Sequence, residues 1–314
     1  MDPLISICIP AYKRTDFLKR LLDSIAIQTF REFEVIITDD SPGEELATLM
    51  AAYDKKFDLK YFRNPKPLGT PENWNEAIRK ASGKWIKLMH DDDWFSDAQS
   101  LQYFADAINS QPDKAFIFSA YLKVFIDEDR MEEVSINTFR YRLLQKNPFT
   151  LIASNIIGPP SVVIHRNDQH FFYDKNLKWL VDIDFYISNL KNAKAYYIDR
   201  ILVDIGMNAE QVTKESFRVN KVEIPENFYL LKKIGTIALT NIHVYDAWWR
   251  LIRNLRVRSL ADIYASGYSG ELPLSIKKMI GFQSKIPLAG LNIGVLSKFF
   301  MALSFIIYFR DINK

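Results

Sequence analysis

The chain has 314 residues, of which 48% are hydrophobic and 25% charged, and its formal net charge at pH 7 is +3. This composition is ordinary for a globular protein with a large core. The small net charge argues against nucleic acid as the main partner, because duplex-binding proteins concentrate positive charge on one face, and the single cysteine excludes a disulfide framework.

Predicted strands and helices alternate along the first 120 residues. Short β-rich runs predict strands, and apolar residues at three- and four-residue spacing predict helices. The predicted strands cover residues 4–9, 35–38, 59–62, 84–89 and 115–120. The predicted helices cover residues 15–25, 46–53, 72–81 and 98–109, the first with Thr15 as its N-cap. This alternation predicts an α/β fold with a mostly parallel sheet and helices on both faces.

The pattern loosens after residue 121. A Gly-Pro-Pro turn and a strand are predicted within 156–166, a helix over 182–190 and a strand over 195–205. From Pro225 onward the pattern is helical. We therefore predict an α/β domain over residues 1–220 and a helical C-terminal region over residues 221–314.

Polar clusters follow three of the predicted strands. Residues 12–14 follow the first strand, Asp39 and Asp40 end the second, and residues 91–93 follow the fourth. Ligands of open α/β sheets bind beyond the carboxyl ends of the strands. We therefore expect the three clusters to line one crevice.

The carboxylates in these clusters have a functional and a structural interpretation. The adjacent carboxylates of residues 91–93 repel one another unless a cation relieves them, and hard cations such as Mg²⁺ or Mn²⁺ bridge carboxylates to phosphate oxygens. Asp39 or Asp40 offers an acceptor for a base N–H, and Tyr12 offers a ring for stacking. The alternative is that residues 91–93 form a solvated turn with a helix cap, and that Asp39 and Asp40 belong to an ordinary turn.

Four segments of the chain together resemble family 2 glycosyltransferases of the GT-A fold, which is a Rossmann-like α/β fold. They are SICIPAYKR, EVIITDDS, NPKPLGTPENWNEAIRKASGKWIKLMHDDDW and GPPSVVIHR. The resemblance covers about the first 215 residues, and both the order and the spacing of the segments match. It implies a metal-dependent, inverting transfer of a sugar from a nucleotide diphosphate sugar to a hydroxyl group.

The resemblance also assigns residues to the donor site and to the metal. Asp40 or Asp39 would bind the ring N–H of the base, residues 91–93 would form the acidic metal motif, and Mg²⁺ or Mn²⁺ would be the cofactor. Because His90 stands where the family usually has the first aspartate, Asp92 is the preferred metal ligand and Asp91 the second candidate. The predicted nucleotide-sugar-binding residues are Pro10, Ala11, Tyr12, Arg14, Asp39, Asp40, Arg63, Asn64, Gly69, Asn73 and Asp91. The predicted metal ligands are Asp92 and Asp93.

The catalytic base is assigned by resemblance to KWLVDIDFYISNL, in which Val181 replaces the usual glutamate. Inverting transfer needs a carboxylate that takes the proton from the acceptor hydroxyl. The alignment makes Asp182 the base and Asp184 the second candidate. Without the resemblance, both aspartates would be explained by the preference of acidic residues for a helix N-terminus.

A later loop and Trp179 are further candidates for the site. The segment IGMNAEQVTKES resembles a loop that closes over the donor diphosphate, with Met207 and Asn208 where the family often has arginine or histidine, and with Gln211 and Thr213 as contributors. Trp179 would stack on an acceptor sugar or lie in the rim of the site. His90, His165, His170 and His243 show no metal-ligand spacing, so a zinc site is not expected.

Residues 286–309 form a strongly apolar stretch interrupted by Asn292, Ser297, Lys298 and Ser304. Basic and aromatic residues upstream suit attachment to an anionic inner membrane face. The alternatives are packing on the protein or a partner subunit, and spanning of the bilayer. With no secretory leader visible before Pro10, we expect a cytoplasmic protein that is peripheral on the inner face of the membrane.

The expected role is synthesis of a surface polysaccharide, with a glycan or lipid-linked sugar as acceptor. A nucleotidyltransferase is disfavoured, because SICIPAYKR lacks the glycines that such enzymes use to bind a triphosphate. A non-catalytic subunit with the same fold stays open because of His90 and Val181. Transfer directly to polyprenyl phosphate is a third interpretation.

Overall fold

The structure, a computed structural model, describes residues 3–207 and 218–312. The chain divides into two compact units. The first contains Met1–Lys146, Ile156–Asn176 and Asp184–Gln211, and the second contains Asn147–Asn155, Leu177–Ile183 and Val212–Lys314. The domain boundary at residue 220 stays a prediction.

The first unit is built on one mixed sheet of nine strands. The strands are β1 (Ile5–Ala11), β2 (Phe33–Asp39), β3 (Asp58–Arg63), β4 (Trp85–Leu88), β5 (Trp94–Phe95), β6 (Phe116–Phe125), β7 (Arg130–Val134), β8 (Val163–Arg166) and β9 (Ala195–Met207). Their order is β3-β2-β1-β4-β8-β6-β9-β5, and β7 pairs with β6. The pairs along β3-β2-β1-β4 and the pair β6-β9 are parallel, and the other pairs are antiparallel. The predicted α/β fold is confirmed.

Helices flank this sheet. They are α1 (Thr15–Ala26), α2 (Glu45–Met50), α3 (Glu72–Arg79), α4 (Ser100–Ser110), α5 (Thr138–Lys146) and α6 (Val181–Leu190). The prediction of Thr15 as an N-cap is wrong, because Thr15 is the first helical residue of α1 and Arg14 occupies the cap position without a side-chain hydrogen bond.

All residues of β1 and β2 are buried, as expected for parallel strands covered on both faces. Glu34 and Asp39 are the two charged residues of β2, and Glu34 lies near its start. Its carboxylate accepts hydrogen bonds from Lys60 Nζ (2.5 Å), Ser6 Oγ (2.5 Å) and the Ser82 N–H (2.7 Å). Burial alone would raise the pKa of Glu34, but these hydrogen bonds outweigh it and lower the pKa to about 2. The buried negative charge of Glu34 is therefore compensated by donors from β1, from β3 and from the segment before β4.

The short strand β8 determines which loops meet. It runs antiparallel to β4, with Trp85 opposite Arg166 and Ile86 opposite His165. Because the directions are opposite, the residues that precede β8 lie beside the residues that follow β4. The Gly-Pro-Pro-Ser segment is thereby placed next to the acidic triplet.

The second unit is helical. Its helices beyond residue 218 are α7 (Asn220–Ile234), α8 (Ile242–Asn254), α9 (Leu260–Ala265), α10 (Leu274–Ser284), α11 (Leu288–Asn292) and α12 (Gly294–Tyr308). Its core includes the buried aromatic residues Tyr245, Trp248 and Trp249 of α8. The apolar stretch 286–309 is not one helix, because Ile293 is extended (φ −82°, ψ 109°) and separates α11 from α12. Across residues 3–207 and 218–312, none of the helices is both long and apolar enough to cross a bilayer.

Candidate active site

The three polar clusters follow strands that pair in parallel. Ala11 at the end of β1 lies opposite Asp39 at the end of β2, and Cys8 of β1 lies opposite Leu88 at the end of β4. The backbone continues this pairing, since the Asp40 N–H donates to the Ala11 carbonyl (3.0 Å). The carboxyl ends of β1, β2 and β4 therefore lie at one edge of the sheet, as expected from the alternation.

Tyr12 is the exposed aromatic residue at this edge. Tyr12 directly follows the buried residues Pro10 and Ala11 of β1 and is itself 47% exposed. Lys13, next to it, has a positive φ of 65° and donates its N–H to Ser41 Oγ (2.7 Å). The turn after β1 therefore presents a ring on which a nucleotide base can stack.

Asp40 organises the loop that follows β3. One carboxylate oxygen accepts from Asn64 Nδ2 (2.8 Å) and the Leu68 N–H (3.0 Å), and the other accepts from the Gly69 N–H (2.8 Å). Gly69 has a φ of +71°, which disfavours any residue with a side chain. Asp40 is buried, and its hydrogen bonds hold the loop in place.

Asp39 and Arg63 also have protein partners. Asp39 is fully buried and accepts from Tyr61 Oη (2.5 Å) and the Ser41 N–H (2.7 Å). Arg63 donates to the Pro42 carbonyl (2.5 Å). The predicted roles of both residues in donor binding stay predictions, and their observed contacts stabilise the turn after β2.

Asn73, at the second position of α3, ties the strand ends together. Its Nδ2 donates to the carbonyls of Thr38 (3.1 Å) and Ala11 (3.4 Å), and its Oδ1 accepts from Asn64 Nδ2 (3.0 Å). Asn73 is buried. The predicted residues around β1, β2 and the 64–69 loop thus form one hydrogen-bond network.

Arg14 connects this network to the acidic triplet. Its guanidinium forms ion pairs with Asp91 and with Asp92 (Nη1–Oδ2 3.2 Å). Burial raises the pKa of Asp91 to about 7, although the Arg14 charge opposes this shift. Arg14 therefore supplies the positive charge that two of the three buried carboxylates need in this structure.

The third carboxylate, that of Asp93, lies in a second group together with His90 and Asp92. Ligand atoms of His90, Asp92 and Asp93 all lie within 4.8 Å of one another. His90 Nδ1 is 3.8 Å from Asp93 Oδ2, and the buried His90 Nε2 has no hydrogen-bond partner within residues 3–207 and 218–312. Octahedral ligands at about 2.1 Å from a divalent ion lie up to about 4.2 Å apart, so small side-chain rotations would let these three residues hold one.

The sequence shows no metal-ligand spacing for His90, His165, His170 or His243, whereas the fold brings His90 beside Asp92 and Asp93. Burial lowers the pKa of His90 to about 4, so its ring is neutral at pH 7 and has a lone pair to offer. The ring packs against Trp74, with centroids 4.7 Å apart. Burial and the Asp92 charge raise the pKa of Asp93 well above its usual range, as expected for adjacent carboxylates before a cation binds.

Residues that the sequence did not single out position this group. Ser161 Oγ accepts from the His90 N–H (3.0 Å), and the Ser161 carbonyl accepts from the buried Lys87. Arg20 donates to the Asp92 carbonyl (3.0 Å) and lies 3.7 Å from the centre of the Trp94 ring. Ser161 belongs to the quoted GPPS segment, but its role depends on the antiparallel return of β8.

Gly206 of β9 packs directly against the backbone of the acidic triplet. Its N–H donates to Asp93 Oδ1 (3.2 Å), and a Cβ at this position would lie 2.3 Å from the Asp92 carbonyl oxygen. We expect Gly206→Ala to displace the triplet backbone, weakening Mn²⁺ binding by about 10- to 100-fold and destabilising the fold by about 1–3 kcal/mol. Calorimetric titration of Mn²⁺ and thermal unfolding measure the two effects.

The matched control is Gly281→Ala on α10, where a Cβ would meet nothing within 4 Å. This variant should bind Mn²⁺ as the wild type does. Equal Mn²⁺ affinity in the Gly206→Ala protein would show that Gly206 does not position the triplet.

The predicted bases lie near the start of α6. Asp182 is partly exposed, and its carboxylate accepts from Asn155 Nδ2 (2.8 Å) and the Ile183 N–H (2.8 Å). Burial raises the pKa of Asp182 to about 6. Asp184 is only 2% exposed. Asp182 therefore has the greater access to solvent, and both assignments stay predictions.

Glu226 of α7 anchors the segment before α6, a role that the sequence did not indicate. Its carboxylate accepts from the backbone N–H groups of Lys178, Trp179 and Leu180, each at 2.9 Å. Unpaired N–H groups ahead of a helix favour such an anion. The side chain of Trp179 is partly exposed. Of the predicted closing loop, Met207 ends β9, and Asn208, Gln211 and Thr213 lie outside the described residues.

The chain is similar in sequence to known glycosyltransferases. The model of the family "Glycosyl transferase family 2" matches residues 6–168, which is more than half of the chain. An uncharacterized glycosyltransferase of Rickettsia prowazekii is 23% identical over 295 residues, covering 89% of this chain and 87% of the relative. A GalNAc(5)-diNAcBac-PP-undecaprenol beta-1,3-glucosyltransferase of Campylobacter jejuni is 30% identical over 93 residues, 29% of this chain and 30% of the relative.

Solved structures share the fold at low sequence identity. TarS 1-349 of S. aureus in complex with UDP-GlcNAc matches with a TM-score of 0.63 at 17% identity, covering 98% of this chain and 88% of that one. The mannosyltransferase PcManGT of Pyrobaculum calidifontis, in complex with GDP-Man and Mn²⁺, matches with a TM-score of 0.54 at 12% identity, covering 98% and 87%. The predicted GT-A fold is thereby confirmed.

Proposed function

Because the chain belongs to glycosyltransferase family 2, we propose that it transfers a sugar from a nucleotide diphosphate sugar to a hydroxyl group, with inversion at the anomeric carbon. The observation that carries the proposal is the group of His90, Asp92 and Asp93 at the sheet edge where Tyr12 is exposed. The fold neighbours crystallised with UDP-GlcNAc and with GDP-Man and Mn²⁺ support this class of donor.

We assign the donor contacts residue by residue. Tyr12 stacks on the base. Asp39, Asp40 and Asn73, each of which accepts a hydrogen bond from Asn64, shape the pocket around it. Mg²⁺ or Mn²⁺, when bound, supplies Lewis-acid stabilisation of the departing diphosphate. Asp92 and Asp93 would hold the ion, and the neutral imidazole of His90 would suit Mn²⁺ better than Mg²⁺, because nitrogen ligands favour transition metals. Arg14 donates to phosphate oxygens.

We assign the base to Asp182. Its carboxylate accepts the proton of the acceptor hydroxyl as the oxygen attacks the anomeric carbon, and the leaving diphosphate departs from the opposite face. A pKa of about 6 leaves most of the carboxylate ionised at pH 7 while making it a stronger base than an ordinary aspartate. Asn155, through its hydrogen bond, keeps the carboxylate in one orientation.

The proposed acceptor is a glycan or a lipid-linked sugar in surface polysaccharide synthesis, at the inner face of the membrane. The name of the Campylobacter jejuni relative includes a sugar carried on a polyprenyl diphosphate, which supports this class of acceptor.

Titration of a panel of nucleoside diphosphates by calorimetry, with and without Mn²⁺, tests the proposal. We expect one nucleotide class to bind, with an affinity that rises when Mn²⁺ is present. If no nucleotide binds under either condition, the proposed transfer is wrong and the chain is a non-catalytic member of its family.

A further inference from the structure

Helix α12 has an apolar outer side. Val295 is 82% exposed, Ile306 73% and Phe299 61%. Their three- and four-residue spacing places these residues, with the intervening large side chains, on one side of the helix. The outer face, as we define it, consists of Val295, Leu296, Phe299, Leu303, Ile306 and Ile307.

The two serines of α12 point the other way. Ser297 Oγ accepts from Trp249 Nε1 (3.0 Å), and Ser304 Oγ pairs with Tyr245 Oη (2.8 Å). Both serines are buried, and Met301 between them is 5% exposed. A surface helix of a globular protein normally shows the reverse arrangement, with its apolar side on the core. The serines that interrupt the apolar stretch are thus satisfied internally, and the outer face is left for an external apolar medium.

The charge around the outer face identifies that medium. Between residues 274 and 312 the basic side chains are Lys277, Lys278, Lys285, Lys298 and Arg310, and Asp311 is the single acidic one. Lys298 lies on α12 itself with a 65% exposed side chain, and its Nζ is 3.1 Å from Asp246 Oδ2, so Asp246 offsets part of its charge. Two copies of this chain facing each other through such a region would repel, whereas an anionic lipid surface attracts it.

We infer that α12 lies along an anionic membrane surface, with its outer face in the boundary between headgroups and acyl chains. Lys285 and Arg310, which are exposed, contact the lipid phosphates. Apolar burial and attraction to anionic lipid act together in helices of this kind. The inference goes beyond the proposed transfer reaction and does not rest on it.

Co-sedimentation of the full chain with vesicles tests this surface. Vesicles of phosphatidylglycerol and phosphatidylethanolamine should bind the protein, and pure phosphatidylcholine vesicles should bind it at least about tenfold less. The variant Phe299→Asp/Ile306→Asp should lose at least about tenfold in partitioning to the anionic vesicles. Raising the salt concentration should weaken wild-type binding through screening.

The matched control is Ile27→Asp/Phe139→Asp, which changes the same residue types at positions 59% and 65% exposed in the first unit. It should bind vesicles as the wild type does. Equal loss in both double variants, or no wild-type binding to anionic vesicles, overturns the inference. It is also overturned if sedimentation velocity shows a dimer that only Phe299→Asp/Ile306→Asp dissociates while vesicle binding is unchanged, since the outer face would then join two copies.

Discussion

Replacing Asp92 with alanine is expected to reduce kcat/KM for sugar transfer by about 10³-fold, which corresponds to several kcal/mol of lost charge stabilisation. Asp92 belongs to the His90–Asp92–Asp93 group and is also ion-paired with Arg14. The Asp92→Ala substitution removes the carboxylate that would bind the cation and that pairs with the Arg14 guanidinium. Turnover with saturating donor, together with calorimetric Mn²⁺ titration, measures the effect.

The control for this variant is Asp106→Ala on α4, where the carboxylate is exposed and accepts from Gln102 Nε2 (2.8 Å). Its turnover and Mn²⁺ affinity should match those of the wild type. A catalytically competent Asp92→Ala protein with unchanged Mn²⁺ affinity would contradict the proposed metal site. Lost turnover with retained Mn²⁺ affinity would assign Asp92 to the donor rather than to the ion.

Asp182→Asn is expected to lower kcat by about 10²- to 10⁴-fold, the usual contribution of a general base, with little change in KM. Asparagine preserves the shape of the side chain but does not take up a proton at neutral pH. In the wild type, kcat should fall as the pH drops below about 6, because protonation of Asp182 removes the base and its pKa is about 6. A plot of kcat against pH measures this decrease at low pH. The Asp182→Asn variant should not show it.

Asp184→Asn is the comparison that discriminates the two candidate bases. Asp184 is buried, so its amide variant should keep the acid limb of the pH profile even if the protein is less stable. If Asp184→Asn abolishes turnover while Asp182→Asn leaves it unchanged, the base assignment is wrong. Thermal unfolding of both variants separates loss of chemistry from loss of fold.

The parallel pairing of β1 and β2 was predictable because both strands carry continuous apolar runs between predicted amphipathic helices. The same pattern indicated that β1, β2 and β4 end at one edge, since parallel strands place their carboxyl ends together. The predicted polar residues at these ends do form one network around Asn73 and Asp40. Their roles as donor contacts are chemical assignments that the network by itself does not test.

The antiparallel return of β8 was not predictable, because a strand of four residues carries no information about its direction. That direction places Ser161 against His90 and completes the surroundings of the metal group. His90 belongs to the metal group because the turn after β4 rotates the His90 ring toward Asp93. Sequence spacing does not encode such a rotation.

By itself the sequence determined the α/β fold, the family and the acidic motif, because hydrophobic periodicity and local motifs are properties of neighbouring residues. Only the tertiary structure decided which carboxylates Arg14 neutralises, that Gly206 leaves no room for a Cβ beside Asp92, and that residues 286–309 break at Ile293. It also decided that Ser297 faces Trp249 while Phe299 faces outward. Hydropathy sums the residues of a segment, whereas burial depends on the side of the helix that each residue occupies.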